Sequence, residues 1–240
     1  MTSTDRHVAI VTGGSSGIGA DLVAAYREHG WAVVANARKM PPGDDPDVLA
    51  VDGDIADPAT AEQITSAALG EFGHIDTLIN NAGIYISKAF TDYTAADFGL
   101  VTGVNLSGFW WLTQRVITSM VKRGSGHIVN ISATVAARAN TAEPAALAAI
   151  TKGGLAAVTR SLAIEYATRG IRVNAVSPGV IKTPLHPAES YTPKALGGRL
   201  PPIGRAGETS DVVRAILYLE SAPYVTGEIL HVDGGQIAGH

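Results

Sequence analysis

The sequence contains no cysteine, which excludes disulfide bonds and thiolate metal sites. Its seven histidines are scattered, with no pair at the spacing of helical metal ligands, and we expect no dedicated metal site. A basic surplus is also missing, because 18 lysines and arginines stand against 22 aspartates and glutamates, for a formal net charge of −4. Nucleic acid is therefore an unfavourable partner, since no excess positive charge can neutralise its phosphates.

The first residues lack the apolar run of a signal peptide or membrane anchor. Residues 1–6 are polar, and the apolar stretch 8–11 is short and is followed by glycines. We therefore expect a cytoplasmic protein that does not bind membranes. Apolar residues make up 46% of the 240 residues, and the mean hydropathy is +0.16. That composition supports a sizeable core and argues against global disorder.

Short β-branched runs alternate with longer helical patterns along the chain. Several runs are apolar on both faces, which is typical of parallel strands covered by helices on both sides. The predicted strands are residues 8–11, 32–35, 48–51, 77–79, 127–131, 172–177 and 229–232. The predicted helices are residues 17–29, 60–72, 95–123, 144–169 and 210–219. This order predicts one Rossmann-type domain over residues 1–240, with a doubly wound parallel sheet in three α/β/α layers.

Residues 183–205 interrupt this alternation. The segment contains five prolines and several glycines and shows no clear period. An irregular stretch of this length in a compact domain is usually a functional loop, here expected on the substrate side. A surface insertion without a function is the alternative.

A glycine-rich loop follows the first predicted strand. Residues 12–19 read TGGSSGIG, and a predicted helix begins at Gly17. Glycines permit a tight turn and let the backbone approach a pyrophosphate, whose charge the first amides of the helix favour. The spacing G-x-x-x-G-x-G differs from the usual dinucleotide fingerprint, and a structural turn is the alternative. Its position on the first strand–helix turn favours nucleotide binding.

Seven motifs, in order along the chain, resemble those of the short-chain dehydrogenase/reductase family. Residues 12–19 are similar to the TGxxxGxG loop of that family, and residues 80–83 match its NNAG motif. Asn105 matches the family's helix asparagine, and Lys152 lies where its active-site lysine is expected. The later matches are residues 177–179, 225–227 and 232–235. The resemblance covers essentially the whole chain and implies a Rossmann fold that binds a nicotinamide dinucleotide.

The resemblance also implies which residues bind the cofactor. NAD-preferring relatives carry a carboxylate at the end of the second strand, where this chain has Ala37, followed by Arg38 and Lys39. A guanidinium favours a 2′-phosphate that a carboxylate would repel. We therefore predict NADP(H), with NAD(H) as the alternative and with a solvated Arg38–Lys39 pair as the other interpretation. The remaining expected contacts are Gly13, Ser15, Ser16, Gly17, Ile18, Gly19, Asp54, Ile55, Asn81, Ala82, Gly83, Lys152, Pro178, Gly179, Ile181 and Thr183.

The expected catalytic residues depart from the family pattern. The resemblance implies hydride transfer at a carbonyl, with a tyrosine that gives the proton, a lysine four residues later, a serine and an asparagine. Lys152 matches the lysine of this set, and Asn105 matches the asparagine. The tyrosine position holds Ala148, and no tyrosine lies within residues 128–165. The serine position holds Ala133, and Ser132 can replace it only if the end of the strand shifts.

The missing hydroxyls leave three interpretations. Another group donates the proton, with His186, Glu189, Tyr191 and Tyr85 as candidates, or the substrate needs no donor, or the chain does not catalyse the usual reaction. We expect an NADP(H)-dependent oxidoreductase that acts on a small carbonyl, imine or activated alkene. A catalytically silent or engineered inactive dinucleotide-binding protein is the alternative.

The helices around Asn105 and Lys152 carry apolar residues on more than one face. The resemblance implies that two such helices pair with their symmetry mates in a homodimer or homotetramer. A single core that uses all of these residues is the alternative. The apolar residues concerned are Trp110, Trp111, Leu112, Leu155, Val158 and Leu162.

Overall fold

The protein is described by a computed structural model, which covers residues 6–139, 143–184, 188–196 and 200–239. Within these residues, seven parallel strands form one sheet in the order β3-β2-β1-β4-β5-β6-β7. Every predicted strand is present, with its ends within two residues of the prediction. The strands are β1 (Val8–Thr12), β2 (Ala32–Ala37), β3 (Val48–Asp52), β4 (Thr77–Asn80), β5 (Gly126–Ile131), β6 (Ile171–Pro178) and β7 (Ile229–Val232).

Helices cover both faces of the sheet, which confirms the predicted doubly wound α/β/α fold. Leu22 and Ile216, from α1 and α7, pack on one face, whereas Ile64, Leu112 and Ala163, from α2, α4 and α5, pack on the other. The strands are apolar on both sides because both faces are covered. The helices are α1 (Gly17–Glu28), α2 (Pro58–Phe72), α3 (Ala95–Thr102), α4 (Gly108–Arg123), α5 (Ala146–Tyr166), α6 (Pro193–Leu196) and α7 (Thr209–Ser221).

The order of the sheet reverses between β1 and β4. The chain leaves β1 towards β2 and β3 on one side, and returns through β4 to β5, β6 and β7 on the other. Loops that follow the carboxyl ends of the two central strands therefore diverge. Such a switch point opens a crevice, which is where ligands bind in sheets of this kind.

The prediction of a single helix over residues 95–123 is wrong in one respect. It is divided into α3 and α4 by a π-helical turn, Gly103–Ser107. The Asn105 side chain in this turn bonds to neighbouring segments, and the wider turn lets it reach them. Gly108, directly after the turn, lies close to the Ile55 side chain: a Cβ at this position would be 2.9 Å from Cγ2 of Ile55.

The segment Ala146–Arg169, which comprises α5 and the turn after it, is long and apolar. It is the one described helix that could cross a membrane by length and composition, with a mean hydropathy of 1.2. The core helix of a soluble protein passes the same test. Of its most apolar window, 33% is buried, and apolar residues also lie on its outer face.

The segment 183–205 is less irregular than the sequence predicts. A 3-10 turn, Ala188–Tyr191, and the short helix α6 lie within it. Residues 185–187 and 197–199 are outside the described residues, and the candidate proton donor His186 is among them. Thr183, Pro184, Tyr191 and Leu196 all face the large cleft described below.

Candidate functional site

A cleft of about 1380 Å³ opens at the switch point, along the carboxyl ends of the strands. It brings together every residue that the sequence predicts to contact the cofactor. Those residues are Gly13, Ser15, Ser16, Gly17, Ile18, Gly19, Arg38, Lys39, Asp54, Ile55, Asn81, Ala82, Gly83, Lys152, Pro178, Gly179, Ile181 and Thr183. Ser132 lines the cleft as well, whereas Asn105 is buried at 2% exposure.

The loop between β1 and α1 has a backbone conformation that favours glycine. Gly13 and Gly17 have φ angles of +67° and +55°. A Cβ on Gly19 would lie 2.0 Å from the carbonyl oxygen of Gly13, so no side chain fits there. The helix begins at Gly17, and among the described residues Ser16 makes no side-chain cap. The first amides of α1, which have no partner within the helix, can therefore bind an anion.

Thr12 joins this loop to the segment after β4. Its Oγ1 accepts hydrogen bonds from the amides of Asn81 at 3.0 Å and Ala82 at 2.9 Å. The Asn81 side chain donates in return to the carbonyl oxygen of Thr12 at 2.8 Å. These bonds hold the two central strand ends together across the switch point. Sequence reasoning placed Thr12 in the loop but did not identify this role.

Positive charge lies where β2 ends. Arg38 and Lys39 are exposed residues of the cleft wall, and among the described residues neither has a carboxylate within ion-pair distance. Asp52 is the in-register neighbour of Ala37, but its carboxylate accepts a hydrogen bond from the Met40 amide at 2.7 Å. This end of the cleft is therefore suited to an anionic group.

Asp54 and Asn36 shape the same end of the cleft. The Asn36 side chain donates to the carbonyl oxygens of Val51 at 3.0 Å and Gly53 at 3.2 Å, which fixes the turn after β3. Oδ1 of Asp54 accepts from the amide of Ala56 at 3.0 Å. The turn thus holds Asp54 on the cleft wall, where the resemblance expects an adenine contact.

Lys152 lies at the opposite end of the site from Arg38, on α5. Its Nζ donates a hydrogen bond to the carbonyl oxygen of Ile131 at 2.8 Å. A Cβ on Gly83 would lie 3.0 Å from Nζ, so the glycine leaves room beside the ammonium. Burial lowers the pKa of Lys152 to about 8, because desolvation disfavours the charged form.

Asn105 is a clamp between two elements of the site. Its Oδ1 accepts from the amide of Ile84 at 2.9 Å, and its Nδ2 donates to the carbonyl oxygen of Ile84 at 3.0 Å. Nδ2 also donates to Oγ1 of Thr151 at 3.1 Å. The side chain therefore ties the segment after β4 to α5, one residue before Lys152.

The Ser132 side chain also connects two elements of the site. It is 2% exposed, and its hydroxyl donates to the carbonyl oxygen of Lys152 at 3.0 Å. The hydroxyl thus fixes the end of β5 against α5. Its position does not show the shift of the strand end that a substrate-binding role requires.

The two alanines at the departure from the family pattern have different surroundings. Ala133 is half-buried and lines the cleft. Ala148 is 1% exposed and is not one of the cleft-lining residues, so Lys152 is the residue of α5 on the cleft surface. A larger side chain at position 148 would have to displace packed neighbours before it reached the cleft.

The substrate side of the cleft contains residues that the sequence analysis missed. Arg138 and Glu143 come from the segment between β5 and α5, and Arg138 donates to the backbone carbonyl of Gln236. No motif indicated them, because this segment has no periodic pattern. Leu100, Val104, Val135, Leu196 and Gln236 complete this side.

Three of the candidate proton donors fall within the described residues. Tyr85 lines the cleft. Tyr191 also lines it, but its hydroxyl donates to the carbonyl oxygen of Thr183 at 3.1 Å and accepts from its amide at 3.2 Å. Glu189 is exposed and is not among the lining residues. Within the described ranges, no group of three or more His, Asp or Glu side chains could hold a metal ion.

Comparison with known proteins gives a consistent picture. A family model described as Enoyl-(Acyl carrier protein) reductase matches residues 13–236. The chain is 34% identical over 247 residues to the 3-oxoacyl-[acyl-carrier-protein] reductase FabG of Thermotoga maritima. The match covers 96% of this chain and 97% of that protein.

Two solved structures extend the comparison to bound cofactors. ElxO with NADP bound is 27% identical, with a TM-score of 0.90, over 98% of this chain and 100% of that one. The 3-ketoacyl-(acyl-carrier-protein) reductase from Brucella melitensis complexed with NADH is 30% identical, with a TM-score of 0.87, over 98% and 100%. Proteins of this fold thus bind either cofactor, and the two solved structures are similar to the present chain to about the same degree.

Proposed function

The chain belongs to the short-chain dehydrogenase/reductase family, and we propose that it is an NADP(H)-dependent oxidoreductase of a small carbonyl, imine or activated alkene. One observation carries the proposal. Every residue that the resemblance assigns to the cofactor lies on one cleft, at the switch point of the sheet. The cleft begins at a glycine loop where a Cβ on Gly19 would meet backbone at 2.0 Å, as expected where backbone cradles a pyrophosphate.

The charges on the cleft support NADP(H) over NAD(H). Arg38 and Lys39 would hold a 2′-phosphate, and Ala37 offers no carboxylate to bind the ribose hydroxyls of NAD(H). The amides at the start of α1 would bind the pyrophosphate, and Lys152 would lie beside the reactive end. The cofactor supplies the hydride when it is bound. NAD(H) remains the alternative cofactor.

The departure from the family pattern is part of the proposal. Ala148 and Ala133 occupy the tyrosine and serine positions, so the usual proton donor is absent. A positioned general acid contributes about 10²–10⁴-fold to the rate, and ketone reduction should be slower by that order than in a tyrosine-bearing relative. Substrates that arrive protonated or activated, such as an iminium or an electron-poor alkene, should suffer less. Ser132 and Asn105 then act as positioning residues, through the bonds that hold β5 and the segment after β4 on α5.

A silent dinucleotide-binding protein is the second candidate function. The observation that favours it is the burial of Ala148 away from the cleft, with only Ala133 at the serine position. The retained Lys152 favours the enzyme, because a silent protein has no need of an amine at this place. The proposal also includes a cytoplasmic location, a small-molecule substrate and self-association as a homodimer or homotetramer, without nucleic acid or membrane partners.

The test combines binding with a substrate screen. NADPH and NADH are titrated by fluorescence, and oxidation of each is then followed with panels of ketones, imines and enones. Tight NADPH binding with turnover of at least one class supports the enzyme. Tight binding without turnover in any class supports the silent protein, and failure to bind either cofactor contradicts both.

The two alanines can be tested singly and together. Ala133→Ser adds a hydroxyl on the cleft wall with little disturbance, whereas Ala148→Tyr must displace packed neighbours. If the alanines occupy the donor and serine positions, the double variant should raise the ratio of ketone to imine reduction. An unchanged ratio, with cofactor binding and folding intact, would count against the assignment of these two positions.

A further inference from the structure

The ionisable groups that share the cleft with a substrate come from four elements. Lys152 lies on α5, Tyr85 follows β4, Arg138 and Glu143 lie between β5 and α5, and Tyr191 lies after β6. Arginine does not release its proton in proteins, and the Tyr191 hydroxyl is held by the backbone of Thr183. Lys152, Tyr85 and Glu143 therefore remain as groups able to give a proton.

The position of the Lys152 ammonium favours it over Tyr85 and Glu143. Its Nζ is fixed at 2.8 Å from the carbonyl oxygen of Ile131, at the end of β5 and next to Ser132 and Ala133. Gly83 leaves the space beside Nζ without a side chain, since a Cβ there would be 3.0 Å away. Among the described residues, no carboxylate lies within ion-pair distance of this ammonium.

The protonation equilibrium of Lys152 suits proton transfer near neutral pH. Burial lowers its pKa to about 8. A general acid works best when its pKa lies near the working pH, because it is then protonated and still gives up its proton readily. An exposed lysine, with a pKa of about 10.4, is a much weaker acid.

We propose that the ammonium of Lys152 is itself the proton donor for carbonyl reduction, in the place that Ala148 leaves without a hydroxyl. The inference rests on the proposed oxidoreductase function. The substrate carbon accepts the hydride, with its two electrons, that NADPH gives up in becoming NADP⁺. The substrate oxygen takes one proton from Nζ, the C=O double bond becomes a C–OH single bond, and the neutral amine regains a proton from water.

The test uses a pair of substrates that differ in their need for a proton. A ketone needs one proton on its oxygen, whereas an N-alkylated iminium needs none, because its nitrogen becomes a neutral amine on reduction. Lys152→Arg keeps the charge, but a guanidinium does not release its proton in proteins. We expect this variant to lose about 10²–10⁴-fold in ketone reduction. Iminium reduction depends on the same cofactor contact but needs no proton, so it should lose much less than ketone reduction, and the ratio of ketone to iminium reduction should fall by about the same factor. Lys152→Met, which removes the charge, should lower this ratio to the same extent, and Lys122→Arg, on the exposed end of α4, is the matched control.

A second measurement does not depend on turnover. The rate at which Lys152 is acetylated, followed by mass spectrometry across pH, reports its protonation directly, with and without NADPH. We expect a labelling midpoint near the pKa of about 8, and a fall in ketone reduction above the same pH, since the acid form is the active one.

Each other outcome is decisive. Equal losses on the ketone and the iminium would show that Lys152 only positions the cofactor, and unchanged ketone reduction would remove it from the reaction. A larger loss of ketone reduction in Tyr85→Phe or Glu143→Gln than in Lys152→Arg would assign the donor to that residue instead. A parent that reduces the iminium but never the ketone overturns this inference and leaves the proposed function intact. A parent that binds NADPH and reduces neither substrate overturns both.

Discussion

Arg38 is the residue on which the cofactor preference should depend most. It is exposed at the end of β2, on the cleft wall, without a carboxylate partner among the described residues. Arg38→Asp should weaken NADPH binding about 10–100-fold, because a charged hydrogen bond to the 2′-phosphate is worth about 1.5–3 kcal/mol. NADH, which has no such phosphate, should bind within about threefold of the parent on the same reasoning. Fluorescence titration of both cofactors at fixed salt measures the ratio.

The control for this experiment is Lys122→Asp, which makes a similar charge change on the exposed end of α4. It should leave both affinities unaltered. Equal losses for NADPH and NADH in Arg38→Asp would show that the residue supports the loop and does not bind the phosphate. Tighter binding of NADH than of NADPH by the parent would contradict the preference itself.

A buried polar cluster lies at the end of the sheet away from the cleft. The carboxylate of Glu220 accepts hydrogen bonds from the hydroxyls of Tyr26 at 2.8 Å and Thr77 at 2.9 Å, and lies 3.2 Å from Nδ1 of His127. Burial alone would raise the pKa of Glu220, but these partners lower it below the usual value. Burial lowers the pKa of His127 despite the carboxylate beside it, so the imidazole is neutral at pH 7.

His127 should make the fold sensitive to mild acid. Because its pKa is lower in the folded chain than in the unfolded one, the unfolded chain binds the proton first. The stability that this provides is complete above the unfolded value of about 6.5 and is lost as the pH falls below it. The free energy of unfolding in urea should therefore decrease between pH 7.5 and 5.5. His127→Gln should be less stable at pH 7.5 but should lose most of this decrease.

His231→Gln, at an exposed position of β7, is the matched control and should keep the pH dependence of the parent. A decrease of the same size in His127→Gln would assign the acid sensitivity to other groups. The carboxylate of Glu220 contributes at lower pH, because its own lowered pKa adds stability that disappears only as the pH falls through the range of carboxyl groups.

Among the elements, the π-helical turn Gly103–Ser107 determines how the site is assembled. Asn105→Ala would leave the amide and carbonyl of Ile84 and the hydroxyl of Thr151 without this partner. Because each buried unsatisfied group costs about 1–3 kcal/mol, we expect a loss of about 2–4 kcal/mol in the free energy of unfolding. Urea denaturation measures it, and Asn105→Asp, which places a buried carboxylate oxygen against the carbonyl oxygen of Ile84, should be at least as destabilised as the alanine variant. A loss below that of an ordinary surface substitution would show that the clamp is redundant.

The elements of the sheet were predictable from the sequence, and the reasons are physical. A parallel strand buried on both faces is apolar throughout, so β1 and β2 are visible as continuous runs. Helix ends were less predictable, because α2 begins at Pro58 with Asp57 as its cap, two residues before the first periodic residue. The π turn was not predictable, because apolar periodicity is the same on both sides of it and the hydrogen bonds that Asn105 makes from it are to segments distant in sequence.

The candidate site was also predictable only in part. Backbone recognition of the cofactor leaves a pattern of glycines along the sequence, and all of the expected contacts meet at the cleft. Side-chain orientation leaves no such pattern. Nothing in the order of residues shows that Ser132 bonds to α5, that Ala148 lies beneath the surface, or that Arg138 and Glu143 face the substrate side.

At the scale of the whole molecule, the apolar residues of the helices around the site are shared between the core and the surface. Leu112 and Leu155 are 0% and 3% exposed, so they belong to the core and cannot contribute to an interface. Trp110 and Ile150 are each 55% exposed, and Ile164 is 79% exposed. The alternative of one core that uses all six of the predicted residues therefore does not hold for Trp110, and Ile150 and Ile164 are exposed apolar residues that the sequence analysis did not name.

The outer face of α5 has the form expected for pairing with a second copy. Ile150 and Ile164 lie on the same side of the helix, four turns apart, with Gly153 between them. A Cβ on Gly153 would meet nothing within 4 Å, so another helix could approach closely at this point. Such a patch, repeated on a symmetry mate, makes an interface in which the same residues meet on both sides.

Light scattering at micromolar concentration should therefore give two or four times the chain mass of 24.8 kDa. Ile164→Asp should shift the protein towards the monomer, because a carboxylate buried at a symmetric apolar contact is repeated on both copies and has no partner there. Ser66→Asp, which adds the same charge on the exposed face of α2, should leave the mass unchanged. A monomeric parent would refute self-association, and an Ile164→Asp variant with the mass of the parent would place the interface on another face of the molecule.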